Sequence, residues 1–304
     1  MIPANETFEG TWSFEPKFSD AAGFRQHYVD EGPRNGEVIV CLHGEPTWGY
    51  LYRHFIPPLA ERYRVIVPDH MGFGKSETPA DRRYTLATHV ENLTALIDDL
   101  GLRDITFVCQ DWGGPMTGAY GLRHPERVKR LVLMNTLFGY GGVRQPKERT
   151  PWFEWIAKHH EAGTLEGILG ELGSTVLSVM KIVGFENSAA VDSTWIRAYS
   201  APFPDRASCI GAIEFPLDVH LGRVFEYIVA GLKTGNLDKL KAKPAMLAYG
   251  MRDRAIDPQH AIADFRALFP DGPVTTLPDV GHFCQEDAPG ILTALIGQFM
   301  QTTR

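Results

Sequence analysis

The chain of 304 residues has no long apolar run, no basic stripe and no paired cysteine motif. Its longest apolar runs, Val38–Leu42 and Leu131–Met134, fall far short of a membrane span, so no membrane partner is expected. There are 30 Lys and Arg against 37 Asp and Glu, a formal charge of −7. That balance, with no clustered basic face, makes nucleic acid an unsuitable partner. The four cysteines, Cys41, Cys109, Cys209 and Cys284, show no CxxC spacing. Two of them sit in strand-like runs, where a thiol is a small core residue of a reducing compartment. The start, Met1-Ile-Pro-Ala-Asn-Glu6, lacks the basic and apolar regions of a secretory signal. A cytoplasmic protein without metal or organic cofactor is therefore expected. Internal repeats and low-complexity segments are also missing. What remains is 44% hydrophobic and 22% charged, the profile of a globular protein with a sizeable core.

The first third alternates strand and helix signals. Phe24–Val29, Val38–Leu42, Val65–Val67, Ile105–Cys109 and Arg130–Met134 read as short strands. Between Thr85 and Leu100, apolar residues at 86, 90, 93, 97 and 100 make one helix face, and Gly101 is placed to end it. Gly113–His124 is a second helix-length stretch. Continuous apolar strands alternating with amphipathic helices imply a parallel sheet covered on both faces. From about Thr136 to about Arg223 helical stretches and aromatics dominate. Strands then return at Ala245–Tyr249 and Val274–Leu277, and Ile291–Met300 reads as a terminal helix. The expected organisation is an α/β core, 1–136 and 224–304, interrupted by a helical cap, 137–223.

Two attractive motifs fail. Gly72-Phe-Gly-Lys-Ser76 resembles a phosphate loop, but the position of its leading glycine holds Asp69, so a glycine-rich turn is expected. His159-His160 suggests a metal pair, yet adjacent helical residues point about 100° apart. The informative stretch is Ile105-Thr-Phe-Val-Cys-Gln-Asp-Trp-Gly-Gly114, in which a strand runs into Asp111 and a helix starts directly after it. Cys109 and Gly113 are the small flanks that a nucleophile elbow requires, with Asp111 at its centre. The simpler alternative is that Asp111 only caps the helix. Downstream, Asp253 follows the strand Ala245–Tyr249, and His282 follows another strand and turn. Nucleophile, acid, histidine is the chain order of the α/β-hydrolase triad. Asp257 is a competing acid, explained as the cap of a helix opened by Pro258, and Asp279 lies too near His282 in sequence. In the same architecture the loop His43-Gly-Glu-Pro46 would donate the Glu45 N–H to an oxyanion hole, with the Trp112 N–H as second donor. His43 would shape that loop, and the Glu45 side chain is either a pocket carboxylate or a salt-bridged wall.

His43-Gly-Glu-Pro-Thr-Trp48 with Leu51-Tyr-Arg53, Gln110-Asp-Trp-Gly-Gly114, Ala198-Tyr-Ser-Ala-Pro-Phe-Pro204 and Gly281-His-Phe-Cys-Gln-Glu286 resemble the haloalkane dehalogenases over most of the chain. The resemblance implies an α/β-hydrolase fold with a helical cap, with Asp111, Asp253 and His282 as nucleophile, acid and base. It implies hydrolysis of a small apolar halogenated substrate to alcohol, halide and a proton through an alkyl-aspartate ester, with water as co-substrate. It also marks Trp112 as the first halide-binding residue. Many members carry Asn where Glu45 stands. Similarity is closer to those with Glu, which hold the halide between two tryptophans. The second would lie early in the cap, where Trp152 and Trp155 are both available and Trp155 is preferred.

The residue types suit that reaction. An ionised aspartate can displace a leaving group from saturated carbon, where serine would suit acyl transfer. His282, oriented by Asp253, would activate water against the ester. An epoxide hydrolase uses the same triad with acidic donors from the cap, for which Tyr140, Tyr199 and Tyr227 are candidates. A related β-lactone decarboxylase and a catalytically silent binding protein on this fold are further alternatives.

Overall fold

The computed structural model describes residues 2–143 and 148–303. Its centre is one eight-stranded sheet: β1 (Lys17–Ser19), β2 (Gln26–Glu31), β3 (Val38–Leu42), β4 (Arg64–Pro68), β5 (Ile105–Gln110), β6 (Val128–Met134), β7 (Ala245–Gly250) and β8 (Val274–Leu277). The spatial order is β1-β2-β4-β3-β5-β6-β7-β8. β1 and β2 pair antiparallel at one edge, and all pairs from β4 to β8 are parallel. Every residue of β5 and β7 is buried, as expected for parallel strands covered on both faces. The strand expected at Phe24–Val29 lies two residues later, because its register against β4 pairs Tyr28 with Pro68 and Glu31 with Val65.

Helices α1 (Ile56–Ala60), α2 (Leu86–Asp99) and α3 (Gly113–Arg123) connect the first parallel strands. The α2 start is fixed by Thr85, whose hydroxyl accepts the Thr88 N–H, and Gly101 at φ +61° follows its end. Between β6 and β7 lie α4 (Pro151–Glu161), α5 (Leu165–Leu169), α6 (Leu172–Val183), α7 (Ser193–Ser200), α8 (Ile210–His220), α9 (Arg223–Leu232) and α10 (Leu237–Lys241). The chain closes with α11 (Pro258–Leu268), α12 (Cys284–Asp287) and α13 (Pro289–Thr302). No described helix is long and apolar enough to cross a membrane.

The phosphate-loop look-alike is a turn wrapped on Asp69, whose carboxylate accepts the backbone N–H of Lys75. The Lys75 ammonium is spent on the carbonyls of Ala4 and Glu6. No group of metal-ligating side chains forms among the described residues, His159 and His160 included.

Strand order places the site. β4 lies on one side of β3 and β5 on the other, so the chain reverses its winding direction at the β3–β5 pair. Loops leaving the carboxyl ends of such neighbours diverge and open a crevice. The His43–Pro46 loop and Asp111 leave from those two ends.

Candidate active site

Asp111 follows β5 directly and has φ +51°, a left-handed conformation that costs a non-glycine residue about 1–3 kcal/mol. Its neighbours hold it there. The Asp111 N–H donates to the Asn135 carbonyl at 3.2 Å, and its own carbonyl accepts the Thr136 hydroxyl. Close approach sets the small residues around it: a Cβ on Gly113 would sit 2.4 Å from the Leu42 carbonyl oxygen, and one on Gly44 would sit 1.9 Å from Asp111 Oδ1. The carboxylate is thereby raised above the sheet end, where the α3 N-terminus favours negative charge.

The two carboxylate oxygens are held separately. Oδ1 accepts the Glu45 N–H at 2.9 Å. Oδ2 lies 3.0 Å from His282 Nε2. The Trp112 N–H makes no hydrogen bond to Asp111. His282 is fully buried, and its Nδ1 stands 3.0 Å from both oxygens of Asp253. Burial alone would press the imidazole toward neutrality, but Asp253 and Asp111 on its two sides overcome this and raise its pKa to about 10. The two flanking carboxylates thus favour the protonated imidazole at rest.

Asp253 is the acid held most firmly. Oδ1 accepts the backbone N–H groups of Ala255 and Ile256 at 2.8 and 3.0 Å. Oδ2 accepts Asn135 Nδ2 at 3.0 Å and the Tyr249 hydroxyl at 3.2 Å. Asp257 instead accepts the His260 N–H as the α11 cap, and Asp279 pairs with Arg252 at the surface. His43 is buried and driven well below its ordinary pKa, by burial first and by His70 second. Its Nε2 accepts the His70 N–H and its Nδ1 meets the Gly44 carbonyl. It shapes the loop and faces no nucleophile.

Above Asp111 opens a cavity of about 350 Å³, lined largely by apolar side chains and including Glu45, Asp111, Trp112 and Trp152. Trp112 stacks on Phe215 of α8 with centroids 4.2 Å apart. The preference for Trp155 is corrected here. Trp152 is the tryptophan on the cavity wall, while Trp155 lies outside the lining, stacked against Trp152 at 5.2 Å with planes 8° apart. The two are three positions apart on α4 and share one face, so only the helix's rotation against the cavity separates them. None of the three candidate cap tyrosines lines the cavity. The Tyr140 hydroxyl donates to the Gly118 carbonyl, Tyr199 donates to Glu286, and Tyr227 lies beneath the Arg123 guanidinium.

Some residues escaped the sequence reading. Asn135 and Tyr249 were unmarked, although a polar residue directly after an apolar strand, as Asn135 is after β6, is a usable signal. Glu286 and Arg53 belong to matched motifs without a stated role. Glu286 accepts Arg53 through both guanidinium nitrogens, the Tyr199 hydroxyl and Trp195 Nε1. The motif around Ala198 therefore ties α7 to the core, helped by Trp48 Nε1 donating to the Ala198 carbonyl at 2.9 Å.

Known proteins resemble this chain over most of its length. Residues 37–289 match the family described as alpha/beta hydrolase fold. The chain is 34% identical to a cis-3-alkyl-4-alkyloxetan-2-one decarboxylase of Xanthomonas campestris pv. campestris, covering 97% of this chain and 98% of that protein. It is 32% identical to haloalkane dehalogenase 2 of Mycobacterium bovis, covering 94% of each. Among solved structures, the haloalkane dehalogenase of Paraglaciecola agarilytica superposes with a TM-score of 0.76 at 29% identity, over 94% of this chain and 92% of that one.

Proposed function

The chain belongs to the α/β-hydrolase family, and from that premise we propose that it is a haloalkane dehalogenase working through an alkyl ester of Asp111. The dehalogenase relatives support the reading. The observation that carries it is the unbroken line from Asp111 Oδ2 through both nitrogens of His282 to Asp253. An Asp111 oxygen attacks the carbon bearing the halogen, the carbon–halogen bond breaks, and the halide leaves. The Trp112 and Trp152 indoles, on the wall of a largely apolar cavity, supply N–H donors to the growing negative charge. The combination of Glu45 with these two tryptophans on the cavity wall supports grouping the protein with the two-tryptophan members.

The second half needs a base, and alkylation itself produces one. Once Asp111 is an ester it is no longer anionic, so one of the two carboxylates that hold the His282 proton is gone. The imidazole then gives up that proton to solvent, as the proton product of the reaction, and takes another from the attacking water, while Asp253 keeps it oriented. The tetrahedral intermediate draws on the Glu45 N–H, already directed at Oδ1, and on the Trp112 N–H at the α3 N-terminus. Collapse releases the alcohol and restores the carboxylate.

Breaking the two halves apart tests the proposal. With a bromoalkane, His282→Phe releases about one bromide per site and stops, because alkylation needs no base whereas hydrolysis does. Intact-protein mass spectrometry shows the added alkyl group, and peptide mapping puts it on Asp111. Asp111→Ala, folded, shows neither. An unmodified His282→Phe protein without a bromide burst would overturn the mechanism.

A second reading is favoured by the Xanthomonas relative. The same aspartate attacking the ring carbon of a β-lactone would lead to alkene and carbon dioxide. Alkene from a dialkyl oxetanone, with no bromide from a bromoalkane panel, would decide for it.

A further inference from the structure

One buried carboxyl in the site has no use in the mechanism above. Asp111 and Asp253 each accept hydrogen bonds at both oxygens, and Glu286 is clasped by four donors. Glu45 is 5% exposed and lines the cavity, yet its Oε1 is buried with no hydrogen-bond partner, and neither of its oxygens accepts a bond from a described residue. Only its backbone is engaged, through the N–H on Asp111 Oδ1. A carboxylate so placed would be a buried charge with no donor and with the Asp111 charge beside it, a state that proteins avoid by keeping the proton. Burial first, and Asp111 second, push the Glu45 pKa well above its ordinary value, outweighing the His282 charge that lowers it. An unpartnered carboxyl that burial and Asp111 drive toward its neutral form thus lies on the cavity wall beside the nucleophile.

A departing halide needs donors but no proton. A departing ring oxygen leaves as an alkoxide and must be protonated. We propose that the site also opens epoxides, with the Glu45 carboxyl as the acid that protonates the ring oxygen. The proposal rests on Asp111 and His282 acting as described above. It does not require the cap tyrosines, which are engaged elsewhere.

The protons balance. An Asp111 oxygen bonds to a ring carbon as the carbon–oxygen bond breaks, and the Glu45 proton passes to the oxygen, leaving a hydroxyalkyl ester and a Glu45 carboxylate. His282, still an imidazolium, returns a proton to Glu45 through cavity water and becomes the neutral base. It then takes a proton from the attacking water, the ester is cleaved to a diol, and all three groups regain their resting states. Epoxide and water are consumed, the diol is formed, and nothing else changes.

The test compares wild type, Glu45→Gln and Glu45→Asp on bromohexane and epoxyhexane, measuring bromide and hexanediol. Glutamine keeps the size and a donor but has no proton to give. The expected result is diol from wild type, a diol-to-bromide ratio lowered about 100-fold in E45Q, and partial return of that ratio in E45D. Wild type that forms no diol overturns the proposal, whatever the bromide result. A ratio unchanged in E45Q overturns the role of Glu45 even where diol forms. Diol without bromide refutes the dehalogenase reading alone and leaves this one standing.

Discussion

The floor of the cavity and its roof are built differently. The floor is the carboxyl end of the sheet, where Asp111, Asp253 and His282 are each fixed by hydrogen bonds. The roof comes from the helices between β6 and β7, where Trp152, Phe153, Val219, Val224 and Ile228 meet the cavity through apolar packing. Hydrogen bonds fix distance and direction together, which an in-line displacement and a directed proton transfer both need. Packing fixes shape and excludes water, but one apolar side chain can replace another at modest cost. Under the proposed mechanism the floor therefore sets the chemistry and the roof sets what can enter. Polar ties join the two as well, among them the Trp152 N–H on the Arg254 carbonyl and the Asp287 carboxylate on the Glu186 and Asn187 N–H groups, and the Glu286 cluster adds a buried ion pair bonded to α7.

Breaking that cluster gives the largest expected effect on stability. Glu286→Gln leaves the buried Arg53 guanidinium without its counter-charge, at a cost of about 3–5 kcal/mol. A fall in melting temperature on the order of 10 °C follows, measured by calorimetry. A drop under about 1 kcal/mol would mean that apolar contacts, and not this ion pair, hold roof to floor.

The next effect separates the tryptophans of the roof. Trp152→Phe keeps most of the packing but removes an indole N–H from the cavity wall. The halide-releasing step should slow by about 100-fold, the size expected for losing one preorganised donor. Trp155→Phe should change it only several-fold, since that ring reaches the cavity through its neighbour alone. Single-turnover bromide release measures both. The reverse ranking would restore Trp155 as the halide ligand and refute the assignment of Trp152.

The same contrast explains what could be read from the sequence. Floor residues follow strands: Asp111 after β5, Asp253 after β7, His282 after β8 and a turn. A short apolar strand is visible in a linear sequence, and so is the residue at its end. The roof offers no such marker, because Trp152 and Trp155 satisfy the same helical face equally well. Residues whose roles arise from distant pairing were also illegible. Arg53 meets Glu286 across 233 positions. Asn135 reaches Asp253 across 118, because β6 pairs with β7. The β2 expectation slipped by two residues for the same reason, its ends being set by β4 and not by its own apolar run.

Tyr249 gives the smallest effect and the sharpest test of the floor. Its hydroxyl, fully buried, donates to Asp253 Oδ2, the oxygen that also takes Asn135 Nδ2 and faces His282. Each donor withdraws negative charge from that oxygen, so fewer donors leave a stronger pull on the imidazolium. Tyr249→Phe should therefore raise the His282 pKa in the alkyl-enzyme. The imidazole then needs a higher pH to become the base, and the acid limb of the hydrolysis rate moves up by less than about one pH unit. Below that limb the variant is slower by several-fold, and above it the two proteins converge. Alkylation needs no base, so bromide release in a single turnover keeps the wild-type pH profile. A purely structural role for the tyrosine would lower the rate at every pH without moving the limb. A limb displaced to lower pH would contradict the electrostatic account, because it would mean that the hydroxyl had been strengthening the pull of Asp253 on the proton.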